Sequence, residues 1–201
     1  MEKKPITHFY YERKKSIMSK ISILIMKVVR RLVNKITGWY RYTSFISGLK
    51  KYEDGITVKG PVYLWNDNVS IGTGTNVYQG VTFWGKGTID IGRHVDIGIN
   101  TVIYSNQEVR IGDNTLIAAD CYIIDINHGI EASEIIRMQK NVCKGPIIIE
   151  EDVWLGTGVK VMSGVHIGKG AVIGAQAVVN KDIPSNAIAV GVPAKVIGYR
   201  K

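Results

Sequence analysis

Cysteine is nearly absent: two residues in a chain of 201, which excludes a small scaffold held together by disulfides. Histidine is scarce as well, with four residues, and none stands beside another His or a Cys at ligand spacing, so no metal site is expected. No run approaches the ~18–20 uncharged apolar residues that cross a bilayer. Few cysteines and no recognisable secretion signal lead us to expect a cytoplasmic protein, touching the inner face of the cell membrane at most peripherally. Acids are missing from one region only. Residues 1–51 hold 13 Lys and Arg against two acids, whereas the other 150 residues hold 13 against 15, so the net charge of +9 belongs to the first quarter. A nucleic-acid binder with basic residues spread over its surface would not be built this way, and nucleic acid is not an expected partner.

What the basic segment does have is helical spacing. Ile17, Ile21, Leu24, Ile25, Val28, Leu32 and Ile36 share one side, Lys20, Lys27, Arg30, Arg31 and Asn34 fall mainly on the other, and Ile23 and Lys35 break the pattern. Residues 1–50 are therefore expected to form a basic amphipathic helical segment ending near Gly38, followed by Trp39-Tyr40-Arg41-Tyr42. Two roles stay open for it: lying on an anionic membrane surface, or capping the end of the body or packing on a neighbouring subunit.

The body, residues 51–201, repeats every six residues. Ile71, Val77 and Phe83 are followed by Ile91, Ile97 and Ile103, then Ile111, Ile117 and Ile123; after an interruption come Ile149, Leu155 and Val161, then Ile167, Ile173 and Val179. Gly often follows the aliphatic residue, and a small or β-branched residue often stands four after it, such as Thr75, Val95, Thr115, Val159 or Ala177. Six fits neither a helix nor a two-residue strand alternation. It fits a solenoid in which each hexapeptide is a short strand plus a turn and three make one triangular coil, with the aliphatic residue inside. Coils starting at 71 and 91 are two residues longer than those starting at 149, and the surplus falls at one corner, between 83 and 91 and between 103 and 111. About five to six coils are expected.

This pattern resembles the left-handed parallel β-helix of the hexapeptide-repeat acyltransferases over residues 56–198. Val153-Trp154-Leu155-Gly156, Val179-Asn180-Lys181-Asp182-Ile183-Pro184 and Gly191-Val192-Pro193-Ala194-Lys195-Val196-Ile197 look like that family's C-terminal signature. The nearest likeness is to bacterial sugar and surface-polysaccharide O-acetyltransferases. Left-handedness is implied by the resemblance alone and would be an exception to the right-handed crossover rule.

After Ile123 the next coil should begin at 129 but begins at 149, so about residues 129–146 are expected to form an inserted loop, of the kind that is commonly functional in a compact fold. In the resembling family a His just before such a loop is the catalytic base, and His128 fits that position. Acetyl transfer from a thioester to a hydroxyl needs a base near neutral pH, which imidazole supplies, and a donor for the oxyanion. The resemblance implies that donor near Gly156-Thr157 and sets Trp154 by the thioester. It also lines a coenzyme A groove with Ala175, Asn180, Lys181 and Lys195. Two departures stand out: Asn180 replaces a more usual Thr, and Gly198 sits where some relatives carry Arg, leaving Arg200 or Lys201 as phosphate partners instead. Trp84, Tyr104, Asp125 and Asn127 are candidates for the acceptor, although strand alternation turns Asp125 and Asn127 away from His128. Zinc carbonic anhydrases share the fold, but Ile123 and Ser133 stand five residues either side of His128, so their three-histidine site is not expected here. His94 and His166 are expected at solvated turns, and Cys121 inside the coil.

Together these features point to an acetyl-CoA-dependent O-acetyltransferase acting on a sugar hydroxyl in surface-polysaccharide synthesis, without a metal, forming a homotrimer with sites between subunits. Two alternatives remain: a non-catalytic β-helix scaffold or membrane-surface adaptor, and an acetyltransferase for a small non-sugar acceptor. Serine acetyltransferases carry a large acidic helical domain that is lacking here.

Overall fold

A computed structural model describes residues 6–201, with side chains from residue 19 onward. The side chains of His8 and Ile17, and residues 1–5 of the expected helical segment, lie outside the described residues. Ile6–Ser47 form one helix. It does not stop near Gly38 but continues for more than two further turns. Glycine in a helix interior costs about 1 kcal/mol, and tertiary burial offsets it: Phe45 and Ile46 are buried, and the Phe45 ring lies 5.9 Å from that of Phe83. Two compact units result, and the first ends at Tyr40 rather than near residue 50, because the last helical turns belong with the coils.

In the second unit, three parallel sheets form the faces of a prism. The first contains Lys51–Tyr52, Val69–Ile71, Thr88–Ile91, Glu108–Ile111, Ile147–Ile149 and His166–Ile167. The second contains Thr57–Lys59, Asn76–Tyr78, Asp96–Ile97, Leu116–Ile117, Trp154–Leu155, Val172–Ile173 and Ala187–Val190, closed by the antiparallel strand Lys195–Tyr199. The third contains Tyr63–Trp65, Thr82–Gly85, Val102–Ser105, Tyr122–Ile124, Lys160–Val161 and Val178–Val179. Six complete coils and the start of a seventh follow from this count. The first, at residues 51–65, lacks the aliphatic-glycine signature and adds to the five that the repeat displays.

All fifteen residues of the six-residue series are buried, as are the residues four after them except Gln107 and Asn127 at the third-to-first-sheet corner. Parallel register stacks like on like, for example Ile91 beside Ile111 and Ile111 beside Ile149. Burying one such side chain contributes about 1.5–3 kcal/mol, so the six-residue rhythm is the record of a continuous apolar column. The last turn of the helix covers one end of this column and the hairpin of Ala187–Val190 with Lys195–Tyr199 lies at the other, which protects both strand edges.

Candidate active site

The corner between the third and first sheets is the one with two extra residues, and it is built on a buried polar column. The Asn66 amide donates to the Gly87 carbonyl at 3.0 Å and accepts from the Asn68 N–H at 2.7 Å. One coil on, in register, Gly85 stands above; next comes Ser105, whose hydroxyl shares its hydrogen between the Thr88 carbonyl at 2.9 Å and Asp125 Oδ2 at 3.2 Å. Asp125, fully buried, completes the column. Its carboxylate accepts the backbone N–H groups of Asn106, Gln107 and Glu108 at 2.7, 2.8 and 2.9 Å. Asp125 is therefore a structural clasp with no face toward a ligand, which corrects its expected role as an acceptor contact. A carboxylate taken out of water must be fully hydrogen-bonded, and the three turn donors do this.

The chain leaves the coil at this corner. Ser163 of the following coil ties both ends of the departing loop: its hydroxyl donates to the Asp125 carbonyl and accepts from the Lys144 N–H at 2.9 Å. Between these ends, Asn127–His128 pair antiparallel with Asn141–Val142, and the tip holds a short 3-10 turn at Ile136–Met138. Gln139 fastens the loop to itself. Its amide accepts the Glu131 N–H at 2.8 Å and donates to the Glu131 and Glu134 carbonyls at 2.8 and 2.9 Å. Gly129 lies against it so closely that a Cβ there would come within 2.6 Å of Gln139 Oε1. Glycine directly after His128 is thus required by packing.

His128 is exposed on this hairpin and lines a cavity of about 1020 Å³. Met138 and Val142 of the loop face Met162 and Val178 of the coils across it, with Lys140 and Lys144 among its charged groups. Asn127 and Asn180 line the same cavity, so three of the expected site residues meet here, and Lys181 follows Asn180 exposed on the same corner.

The remaining expected residues stand elsewhere on the chain. Trp154 projects from the second sheet, half exposed, directly above Leu116, at a shallow depression of about 370 Å³. Gly156 packs beneath Ala175, where a Cβ would meet the Ala175 nitrogen at 2.7 Å. The Gly156 N–H already donates to the Ile173 carbonyl at 2.8 Å, so of the expected pair only Thr157, exposed at the corner, offers a candidate oxyanion donor. Lys195 is exposed on the closing strand opposite Val190. Trp84 and Tyr104 stand on the third sheet, their rings stacked at 4.8 Å. Arg200 is not available for a ligand, since its guanidinium reaches Asp152 Oδ2 and the Gly170 carbonyl, each at 2.9 Å. One chain therefore sets His128 on the hairpin at the corner between the third and first sheets and Trp154 on the second sheet.

Ser163, Gln139 and Met162 escaped the sequence. Ser163 follows an inward Val161 like any turn residue, and loop residues carry no period; only the 20-residue interruption marked the region. Cys121 is buried, and burial pushes its thiol up, which makes it a poor nucleophile. His94 sits at a turn with φ of 55°, and His166 is half exposed with Nε2 2.9 Å from Glu150 Oε1. Among the described residues, no group of three or more His, Cys, Asp or Glu is placed to hold a metal.

Comparison with known proteins gives three kinds of match. The family described as bacterial transferase hexapeptide (six repeats) matches residues 146–181. The putative lipopolysaccharide biosynthesis O-acetyl transferase WbbJ of Escherichia coli K12 is 35% identical over 157 residues, covering 73% of this chain and 80% of its own length. The probable acetyltransferase Rv3034c of Mycobacterium tuberculosis is 38% identical over 116 residues, 58% of this chain but only 39% of the relative. Among solved structures, a mutant of AntD, an N-acyltransferase from Bacillus cereus in complex with dTDP and coenzyme A, superposes with a TM-score of 0.70 at 19% identity. That superposition covers 80% of this chain and 90% of that one. The likeness shows the fold, a left-handed parallel β-helix.

Proposed function

Because this chain belongs to the hexapeptide-repeat acyltransferase family, we propose that it moves an acetyl group from acetyl-CoA to a sugar hydroxyl in surface-polysaccharide synthesis, with His128 as the general base. The observation that carries this is the setting of His128: exposed on a hairpin held by Gln139 and Ser163, at a cavity large enough for a sugar. The relatives' names, a lipopolysaccharide O-acetyl transferase among them, support the acetyl group and the class of acceptor.

Acetyl-CoA supplies a thioester carbonyl. His128 takes the proton of the acceptor hydroxyl as its oxygen bonds to that carbon, and a backbone donor holds the oxyanion. The carbon–sulfur bond then breaks and the proton passes to the thiolate, which leaves as the free thiol beside the new acetyl ester. No acyl-enzyme forms. The two walls of the site come from two subunits: the His128 corner of one, with Asn180 and Lys181, faces the Trp154, Thr157, Ala175 and Lys195 side of the next. A closed three-fold ring repeats this contact three times and answers the separation of His128 from Trp154 within one chain. The purified protein, offered acetyl-CoA with nucleotide, lipid-linked and free sugars, is expected to yield a product heavier by one acetyl group and to run as a trimer. Absence of acetyl-CoA binding at millimolar concentration would instead mean a scaffold.

Gln139 positions the base without touching substrate. Gln139→Ala is expected to lower kcat between ten- and a hundred-fold, the scale of an ångström-sized misplacement, with little change in KM for acetyl-CoA or in the melting midpoint. A parallel loss of stability and rate would make Gln139 a merely structural residue.

The helix fits a membrane surface. In its described part Ile21, Leu24, Ile25, Val28, Leu32 and Ile36 are about half exposed or more. Six basic residues, Lys20 to Arg41, have no acid among them in the sequence, which disfavours a second copy of the same helix as its cover and favours anionic lipid. No helix among the described residues is long and apolar enough to cross a membrane; the contact proposed is peripheral, at the cytoplasmic face. Each basic residue contributes about 1 kcal/mol at such a surface. The protein is expected to sediment with phosphatidylglycerol vesicles at low salt, not with phosphatidylcholine, and to be released when Lys27, Arg30 and Arg31 are changed to Glu. Equal binding to both vesicles would refute the electrostatic part of this reading.

A further inference from the structure

We propose that the outer face of the third sheet is the seam between copies of this chain: its aromatic column seats in the depression on the second sheet of the next copy, and this contact brings His128 to Trp154. The proposal rests on the acetyl-transfer reading above and names the surface that completes its site. The faces of the prism differ in chemistry. Along the outer side of the first sheet, one register position on six coils holds Lys51, Ser70, Asp90, Arg110, Ile148 and His166. That row is polar but for Ile148, and such a face suits water. The third sheet is the opposite. One register position holds Trp65, Trp84, Tyr104 and Ile124, and the other holds Tyr63, Thr82, Val102 and Tyr122. Trp65, Trp84 and Tyr63 remain about half exposed or more. A contiguous exposed apolar patch of this kind marks an interaction surface.

The arrangement of the rings selects the occupant. Trp84 stacks on Tyr104 at 4.8 Å with 12° between planes, and Trp65 meets Trp84 edge to face at 6.2 Å. Ring faces are thus spent on one another, and what remains for a partner is ring edges with the aliphatic Val102 and Ile124 beside them. Such a surface gains from close-packed apolar contact rather than from a polar ligand. The second sheet offers its complement. A depression of about 370 Å³ is lined by the small residues Gly98, Ala118 and Ala119 together with Tyr78, Leu116 and Trp154. Leu116 and Trp154 are each about half exposed. Asp96, in the same lining, already accepts the Asn76 amide at 2.7 Å. Column and depression lie on different faces of one prism, so one chain cannot bring them together and a second copy can.

Their heights agree. Trp84, Tyr104 and Ile124 stand on the second, third and fourth coils; Tyr78 stands on the second, Gly98 on the third, Leu116 and Ala118 on the fourth and Trp154 on the fifth. Solenoids standing side by side in a closed three-fold ring meet coil to coil, so the column faces the depression over two strand spacings, about 10 Å. The continuation upward is what matters for catalysis. Ile124 leads through Asp125 to the hairpin strand Asn127–His128, and Trp154 is the highest residue of the depression. A seated column therefore sets the His128 hairpin of one copy beside Trp154 of the next. Trp84 and Tyr104 then serve assembly and are not contacts for the acceptor.

The full-length protein tests the seam from both sides. It is expected to sediment as a trimer. Trp65→Lys/Trp84→Lys on the column and, separately, Leu116→Lys in the depression are each expected to raise the midpoint concentration of assembly about a hundred-fold or more, the scale of losing aromatic hot spots. Circular dichroism should stay that of the natural protein. A second variant guards against lysines that merely unfold a coil. Tyr104→Cys/Leu116→Cys, made with Cys143→Ser because Cys143 is a partly exposed free thiol, is expected to form covalent trimers on oxidation. Tyr104 and Leu116 stand on different sheets of one chain, so that disulfide joins copies. Neither single cysteine variant should form it. Acetyl transfer should fall in step with the trimer in the lysine variants. A trimer that survives both lysine variants and gives no cross-link overturns the seam and leaves transfer by His128 standing. Lysine variants that are monomeric yet keep full transfer overturn the claim that the seam completes the site. A natural protein that is monomeric and active overturns both seam and shared site. Binding of vesicles or oligosaccharides that the Trp65→Lys/Trp84→Lys variant loses while its trimer persists gives the column another occupant and overturns the seam. Cross-linked trimers that transfer no acetyl to any acceptor refute the transfer reading and leave the seam in place.

Discussion

His128→Ala is expected to lower acetyl transfer by about 10³-fold, within the 10²–10⁴ range that a positioned acid–base group contributes, while leaving the assembly intact. The residual rate would come from holding donor and acceptor together and from the oxyanion donor, which do not need the imidazole. Stability should hardly change. The side chain is exposed, and the hairpin is fixed by other groups: pairing with Asn141–Val142, the Gly129 N–H to the Lys140 carbonyl at 3.2 Å, and the Gln139 contacts. Two measurements make the test specific. Binding of acetyl-CoA to the variant, followed by calorimetry, should be near that of the natural protein, because the residues proposed to hold it, Trp154, Thr157, Ala175, Asn180, Lys181 and Lys195, are all unchanged. Added imidazole should restore part of the rate by entering the cavity of about 1020 Å³, something that a collapsed loop would not allow. Undiminished transfer by purified His128→Ala protein would remove the base from the mechanism and, with it, the reason for the loop.

The six-residue period was legible because one force writes it. Each inward side chain stacks on its equivalent in the next coil, so leaving the column exposes apolar surface at a fixed interval, and Ile91, Ile111 and Ile149 record that directly. The interruption after Ile123 was legible for the same reason, as a break in an otherwise regular count. What holds the loop was not. Asn66, Ser105, Asp125 and Ser163 are polar residues near turns, which in sequence look like solvated turn residues; only the fold shows that all four are buried. Strand alternation turned both Asp125 and Asn127 away from His128; the structure buries the Asp125 carboxylate under three turn donors but sets Asn127 on the same cavity as His128, because the chain has already left the coil there. The end of the helix was misjudged at Gly38 because local propensity argues for a stop there, whereas Phe45 and Ile46 gain a tertiary environment that no local rule contains. The separation of His128 from Trp154 accords with the site between subunits that the resemblance implies, and the period itself sets Leu155, second in its group, on a different sheet from Ile123, third in its group.

Asp125→Ala is expected to have the largest effect on stability of any single change at the site, about 3–5 kcal/mol, the scale of leaving buried polar partners unsatisfied. The carboxylate accepts three backbone N–H groups and shares the Ser105 hydrogen. Alanine would strand the Asn106, Gln107 and Glu108 donors at a corner where their only other recourse is water admitted into the coil. For a body of about 160 residues, where 1 kcal/mol moves the melting midpoint by ~2–4 °C, a drop of roughly 10 °C follows. Transfer should fall with it, because the same residue's carbonyl takes the Ser163 hydroxyl that closes the loop, and a loosened corner 105–108 carries that strain to His128. Asp125→Asn should lie between the two, since its carbonyl oxygen still accepts while its amide nitrogen turns donors toward donors. The contrast with a ligand contact is sharp: a residue that only touched the acceptor would raise KM and leave melting unchanged. An Asp125→Ala protein that melts with the natural one but loses acceptor binding would therefore return this carboxylate to the substrate and refute the clasp, whereas a lowered midpoint with weakened transfer ties catalysis by the hairpin to the polar column beneath it.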